Sequence, residues 1–361
     1  MKVKSSDLNW ADVVLLGRLD SWYEYHLTRL LRKAGKYLIY IIDDDLLNIP
    51  SYLSSAAYYG QPVIQRNIRA MMEMSDAILS PSPLLLEKYA GTQRKAIPIE
   101  EPSIHPVCYR PHNLDGPVKI GFAGSIDRKD DIELLLKDAL LRIKQEFGEG
   151  VAFEFFGAIP SFAKGLGARA IPYCDSYDTY RETLNRLEWD IGLAPMPDTP
   201  FHACKHYNKF VEYAAAGIAG IYSRLQPYVR AEERFAGALY CENTPEAWYT
   251  AIRQLVTDRA LREKLRQEAC ECAHGPVSVQ VCAENFSALI CTLPIVAHSM
   301  SITTLQITSA KPGYLFHRFQ TVLKANNISS LFIKLIQKMD LTQKTRSSKT
   351  HCRENNCYET R

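Results

Sequence analysis

The sequence lacks several patterns that would place it in a familiar class of enzyme. It contains no GxGxxG, which argues against a nicotinamide-dependent enzyme, and no GxxxxGK[ST], which argues against a P-loop nucleotidase. It contains no GxSxG, which argues against an α/β-hydrolase. No run of about 18 uncharged apolar residues is present, so no membrane-spanning helix is predicted. The first residues have no apolar core of a signal peptide.

Metal-binding and nucleic-acid-binding patterns are also missing. The ten cysteines include no CxxC pair, so we expect reduced thiols in a cytoplasmic protein and no zinc knuckle. The net charge is only +3, and basic residues are not interleaved with aromatic ones. Nucleic acid is therefore not an expected partner.

Apolar runs alternate with helix-like stretches along most of the 361 residues. Continuous apolar strands between helices predict parallel sheets covered by helices, and the length suits two domains. We predict an α/β fold with a short first domain at residues 1–110 and a second, doubly wound domain at 117–274. A proline-rich stretch between them, at residues 101–118, is the predicted linker.

The excess of positive charge lies in the remaining residues, 275–361, which have ten Lys or Arg against four Asp or Glu. We expect one or two helices there, for example at 331–340, and a disordered end. Such an extension is either simply solvated or touches anionic lipid headgroups at a membrane surface.

The most informative segment is KHYNKFVEYAAAG at residues 205–217. Placed on one helix over 205–216, Lys205, Lys209 and Glu212 share a stripe and the apolar residues face the core. Gly217 is suited to end that helix.

This helix is predicted to begin beyond the carboxyl end of a strand, where open α/β sheets bind ligands. A helix N-terminus and two lysines favour phosphate, and the carboxylate of Glu212 two turns on could accept hydrogen bonds from a ribose diol. The alternative is a surface helix with an ordinary Lys209–Glu212 ion pair.

This segment, together with IGFAGS at 120–125 and DIGLAP at 190–195, resembles the donor-binding region of the group 1 (family four-like) GT-B glycosyltransferases of bacteria. The resemblance covers residues 118–269, and more weakly 11–99. It implies two Rossmann-like doubly wound domains, the first one short, plus a C-terminal extension.

The resemblance also implies roles for individual residues. Glu212 matches the glutamate that holds the donor ribose, and Lys205 and Lys209 match basic positions near the diphosphate. Gly124 and Ser125 match the loop that approaches the phosphates, and Arg128 or Lys129 would supply the positive charge that Ser125 lacks. Tyr173 and Cys174 match the loop that contacts the base.

Two departures from the family pattern leave alternatives open. Cys204 stands where a sugar-contacting glutamate is expected, with His202 or His206 as its substitute, and the first domain is short. A truncated or degenerate relative that binds nucleotide or a partner without turnover is therefore the competing hypothesis. A nucleotide-sugar epimerase on the same fold ranks below transfer.

Two groups of residues could bind a metal ion, but neither is predicted to do so. His202 and His206 are spaced i, i+4 but lack a third ligand nearby. Asp43, Asp44 and Asp45 read more simply as a strand terminus and a helix cap than as an acidic cluster.

The expected protein is a hexosyltransferase-type enzyme of surface polysaccharide or glycoconjugate assembly that retains anomeric configuration. It would use a nucleotide-sugar as substrate, with no cofactor and no metal. Its acceptor would be a glycan, a lipid-linked molecule or a small molecule. We expect it in the cytoplasm, in contact with the membrane if the basic tail binds lipid.

Overall fold

A computed structural model describes residues 4–92, 94–103, 116–294 and 301–303. The described chain forms two parallel sheets, of four and six strands, each covered by helices. Both sheets and their helices agree with the predicted α/β fold class.

The first lobe is built on the four-stranded sheet. Its elements are α1 (Ser5–Trp10), β1 (Val13–Gly17), α2 (Trp22–Lys33), β2 (Tyr37–Ile41), α3 (Ala56–Tyr59), α4 (Pro62–Met74), β3 (Ala77–Ser80), α5 (Pro83–Ala90) and β4 (Lys95–Pro98). The strands stand side by side in chain order, β1-β2-β3-β4.

Because every crossover in the first lobe advances in the same direction, its helices cover one face of the sheet. Leu38 and Tyr40 of β2 belong to a core that also includes residues of α2, α4 and α5. Ile39, between them, faces the other side of the sheet. It belongs to a core with Ala77 and Leu79 of β3 and with Leu293, which follows a helix that ends at Cys291. The alternation along β2 therefore separates two cores.

The second lobe is built on the six-stranded sheet. Its elements are β5 (Val118–Gly124), α6 (Lys129–Phe147), β6 (Val151–Gly157), β7 (Arg169–Ile171), α7 (Tyr177–Leu187), β8 (Ile191–Ala194), α8 (Pro200–Ala203), α9 (Asn208–Ala215), β9 (Ala219–Ser223), α10 (Tyr228–Glu232), β10 (Ala238–Cys241), α11 (Pro245–Thr257) and α12 (Arg259–His274). Short 3₁₀ turns occupy Ile126–Arg128, Gly148–Gly150 and Ser161–Lys164.

The strand order β10-β9-β8-β5-β6-β7 makes the second lobe doubly wound. The chain leaves β5 toward β6 and β7, then returns to β8 on the other side of β5 and continues to β10. The order therefore reverses between β5 and β8, and a crevice opens at their carboxyl ends.

Helix α13 (Val279–Cys291) joins the two lobes. It follows the second lobe in the chain, yet Phe286, Leu289 and Ile290 pack on the open face of the first sheet. The sequence predicts one or two helices in this extension, but it does not predict a helix packed on the first sheet. The predicted helix at 331–340 and the polar end lie outside the described residues, as does most of the predicted linker.

The predicted domain bounds at 110 and 117 fall within or beside residues that the structure does not describe, so they stay predictions. Among the described residues, no helix combines the length and apolar character needed to cross a bilayer.

Candidate functional site

A pocket of about 330 Å³ lies between the two lobes, where the strand order of the second sheet reverses. Seven of the predicted site residues line it: Gly124, Ser125, Arg128, Lys205, His206, Lys209 and Glu212. The other five, Lys129, Tyr173, Cys174, His202 and Cys204, are not among its lining residues. The pocket thus gathers residues from β5, α9 and the loop before α9.

Helix α9 holds Lys209 and Glu212 at the pocket, and its apolar residues from Phe210 to Ala215 are buried. Lys209 Nζ lies 2.5 Å from Glu212 Oε2 and 2.8 Å from the hydroxyl oxygen of Tyr180, which donates to Glu212 at 2.6 Å. The predicted Lys209–Glu212 ion pair therefore exists, but it borders a pocket and not an open surface. Sequence reasoning missed Tyr180, since nothing local to α7 signals its position opposite α9.

The end of α9 is closed as predicted. Gly217 has φ +65° and donates to Ala214, while Ile218 donates to Tyr213. This pair of bonds is the Schellman motif, which needs a left-handed residue after the helix. The buried side chain of Arg266 adds a hydrogen bond to the carbonyl of Gly217.

Lys205 does not belong to that helix, contrary to the prediction of one helix over 205–216. Residues 200–203 form α8, the chain turns through Lys205, His206 and Tyr207, and α9 begins only at Asn208. His206 and Tyr207 each hydrogen-bond Glu100 of the first lobe, which holds the turn in place. Lys205 still reaches the pocket, where its Nζ lies 2.7 Å from Asp44.

The loop after β5 supplies one cation to the pocket. A Cβ on Gly124 would come within 2.7 Å of the Phe122 ring, so the backbone passes too close for a side chain. Arg128 is held by an ion pair with Asp131 at 2.9 Å and donates to the carbonyl of Pro195. Of the two candidates for the loop cation, Arg128 lines the pocket, whereas Lys129 is exposed at the start of α6.

Three carboxylates face the same pocket from the first-lobe side: Asp43, Asp44 and Glu101. Burial raises the pKa of Asp43 and of Glu101, although Arg18 acts against this at Asp43 and His206 at Glu101. Both groups are therefore shifted toward their neutral forms. Protonation of either carboxyl would lessen the repulsion that an incoming anion meets.

Asp45 has a structural role. Its carboxylate is buried and bonded to Lys88 at 2.6 Å, to Asn48 at 2.9 Å and to the Tyr89 hydroxyl. No helix begins between residues 43 and 48, so the predicted helix cap is wrong.

Within the described ranges, no group of three or more His, Cys, Asp or Glu side chains is arranged to hold a metal ion.

The residues suggested for sugar contact diverge. His206 lines the pocket and lies 3.0 Å from Glu100, whereas His202 lines an adjoining cavity of about 210 Å³. Burial and the nearby charges of Arg128 and Lys205 lower the pKa of His202 to about 4. Cys204 packs into the core of the first lobe. The two histidines are thus not on one helical face, because the chain turns between them.

Tyr173 and Cys174 follow the carboxyl end of β7, the edge strand of the second sheet. Tyr173 is 53% exposed, and a side chain at Gly157, the last residue of β6, would touch its ring. Cys174 is half-buried against the core that includes Tyr180. Both therefore lie near the carboxyl end of β6, one strand from the phosphate loop.

No family model and no curated protein matches the sequence. Solved structures do match. HepE from Anabaena, in complex with UDP and glucose, aligns with a TM-score of 0.57 at 12% identity over 80% of each chain. A UDP-forming trehalose-phosphate synthase from Burkholderia xenovorans aligns at 0.53 and 11% identity, over 81% of this chain and 75% of that one.

Sucrose-phosphate synthase from Thermosynechococcus elongatus gives a TM-score of 0.53 at 12% identity, over 77% of this chain and 73% of that one. At such identities the likeness concerns the fold, and the chain has the two-lobed GT-B fold that its sequence resemblance implied.

Proposed function

We propose that the chain is a glycosyltransferase that binds a nucleotide-sugar in the pocket between its lobes. The observation that carries the proposal is the convergence of Arg128, Lys205, Lys209 and Glu212 at the point where the strand order reverses. Cations and a ribose-binding carboxylate at that point match the two polar parts of a nucleoside diphosphate. The fold similarity to HepE, which was solved with UDP, and to a UDP-forming trehalose-phosphate synthase supports this choice.

In the proposed reaction the three cations stabilise the diphosphate as the sugar leaves. Lys205 and Lys209 are already paired with Asp44 and Glu212, so the phosphates would compete for both ammonium groups. Each is held at the pocket by its carboxylate partner, which reduces the entropy lost on binding. Glu212 would exchange Lys209 for the ribose hydroxyls while keeping its bond from Tyr180.

The remaining roles follow the same layout. Ser125 and Gly124 would approach the phosphates, Tyr173 and Cys174 the base, and His206 the sugar. The acceptor, a glycan, a lipid-linked molecule or a small molecule, would enter from the first-lobe side beside Asp44. Retention of configuration, transfer of a hexose, surface polysaccharide assembly and a cytoplasmic location are further parts of the proposal, and they rest on the family resemblance.

A panel of nucleotides and nucleotide-sugars tests the binding site. A donor that binds only the folded chain adds about 2.7 kcal/mol to the free energy of unfolding at a donor concentration of 100 Kd, and so raises the melting temperature. The same donor should release its nucleoside diphosphate on incubation. Release that persists unchanged in Glu212→Ala and Lys209→Ala would place the reaction elsewhere.

A second candidate is a nucleotide-binding protein without turnover. It is favoured by Cys204, which stands where the family has a sugar-contacting glutamate. The Cys204 side chain is buried in the first-lobe core, so this position offers no carboxylate to the sugar. Stabilisation by a nucleotide-sugar with no release of nucleoside diphosphate, with a range of acceptors present, would select this candidate.

A further inference from the structure

A second and larger cavity, of about 680 Å³, lies beside the proposed donor pocket. Its floor is formed by the carboxyl ends of β2, β3 and β4, and α10 and α13 form its sides. This volume is in the range of cavities that enclose a drug-sized ligand, roughly 300–1,000 Å³.

The walls of this cavity are mainly hydrocarbon. Ile41, Leu79 and Ile99 come from the open face of the first sheet, and Ala283 and Phe286 come from α13. The apolar face arises because the helices of the first lobe all cover the opposite side, which leaves α13 to cover this one. Such walls favour an apolar occupant, which gains free energy by leaving water.

Among the described residues, one cation on the wall, Arg230, has no carboxylate partner. The guanidinium of Arg230 stacks over the Tyr207 ring at 4.8 Å, and its Nε is buried without a hydrogen-bond partner. In the part of the chain that the structure describes, no carboxylate forms a salt bridge with it. Arg234 is different, since it pairs with Glu100 at 2.5 Å. The spare positive charge of the cavity therefore belongs to Arg230.

The cavity and the donor pocket share a wall. Glu100 lines the cavity while its neighbour Glu101 lines the donor pocket. His206, on the donor side, and Tyr207 both hydrogen-bond Glu100. A molecule held against Arg230 would therefore lie one layer of side chains away from the proposed donor.

We propose that this cavity binds an amphiphilic anion, with its hydrocarbon part between the first sheet and α13 and its phosphate or carboxylate on Arg230. The apolar walls would bind the hydrocarbon part of the ligand, and the guanidinium of Arg230 would bind its anionic group. The assignment of this molecule as the acceptor rests on the proposed glycosyltransferase function, whereas its binding does not.

Calorimetric titration with dodecyl phosphate, kept below its micelle concentration, tests the site on the full chain. Dodecanol and inorganic phosphate serve as probes that lack the charge or the hydrocarbon chain. Arg230→Met removes the charge but keeps a side chain on Tyr207, and Ala283→Phe fills the cavity. Arg186→Met, at an arginine that is 72% exposed on α7, is the matched control.

Dodecyl phosphate should bind at least about tenfold more tightly than either partial probe. Arg230→Met should lose about tenfold for dodecyl phosphate and nothing for dodecanol, and Ala283→Phe should weaken both. Arg186→Met should bind as the wild type does. Equal affinity for inorganic phosphate and dodecyl phosphate, or unchanged binding in both cavity variants, would overturn the proposal.

Nucleotide binding separates the two proposals. Dodecyl phosphate binding in a chain that binds no nucleotide would leave the amphiphile site standing and remove its acceptor role. Nucleotide binding without dodecyl phosphate binding would overturn the amphiphile site alone. If the occupant is the acceptor, dodecyl phosphate should lower nucleoside diphosphate release from the donor by about fivefold, because its phosphate is held on Arg230, away from the donor, while its presence excludes water. An unchanged rate of release would remove the acceptor role.

Discussion

Replacing Lys209 by methionine removes one ammonium group from the donor pocket and keeps a side chain of similar length. Its Nζ lies 2.5 Å from Glu212 and 2.8 Å from Tyr180, so it is already placed where the diphosphate is expected. A hydrogen bond to a charged group contributes about 1.5–3 kcal/mol. We therefore expect nucleoside diphosphate affinity to fall by roughly 10- to 100-fold.

The fold should tolerate this change. The Lys209 side chain is 23% exposed, and a partly exposed ion pair contributes about 1 kcal/mol or less, so the melting temperature should fall by only a few degrees. Titration with UDP and GDP gives the affinities, and thermal unfolding gives the stability. Lys137→Met, at an exposed lysine of α6, is the matched control and should bind as the wild type does.

The reasoning would be refuted by a Lys209→Met chain that keeps its wild-type Kd while remaining folded. It would also be refuted if Lys137→Met lost as much affinity, since the effect would then come from net charge alone. A rise in ionic strength should weaken wild-type binding more than Lys209→Met binding, because the variant has one fewer charge to be screened.

Three further predictions concern nucleotide binding in the pocket and the stability of the two lobes. Arg128→Met should weaken nucleotide binding by roughly tenfold in a titration, whereas Lys129→Met should not, because only the arginine lines the pocket. Burial would raise the pKa of Glu100, but its hydrogen bonds lower it to about 2, so it stabilises the fold above its ordinary value of 4.5 and loses that contribution as pH falls toward 2. Between pH 7 and pH 3 the wild type should therefore lose up to roughly 2 kcal/mol more unfolding free energy than Glu100→Gln does, measured by urea unfolding. Gly121→Ala should cost about 1–3 kcal/mol or more in the same assay, because its Cβ would lie 1.9 Å from the Trp189 ring.

The α/β character of the chain is readable in the sequence because it arises from local patterns. Apolar runs such as Tyr37–Ile41 and Ala238–Cys241 form strands of the two sheets, and Pro245–Thr257 forms α11. Gly217 ends α9 through its positive φ, a property of glycine that needs no tertiary information. These elements are decided within a few neighbouring residues.

Other features depend on partners far away in the chain. Lys205 leaves the predicted helix because the neighbouring His206 and Tyr207 bond Glu100, more than a hundred residues earlier. Tyr180 meets Glu212 only because α7 and α9 lie side by side at one edge of the sheet. Helical spacing could not show either contact, since it describes a helix in isolation.

The sequence by itself therefore determined the alternation of strands and helices, the apolar face of α9 and the chemical types gathered in its segment. The tertiary structure decided which of those residues meet. It brought Arg128, and not Lys129, to the pocket, turned Cys204 into the first-lobe core and laid α13 across the open sheet face. The physical reason is that side-chain chemistry is local, whereas the reversal of strand order and the pairing of lobes are set by contacts between distant segments.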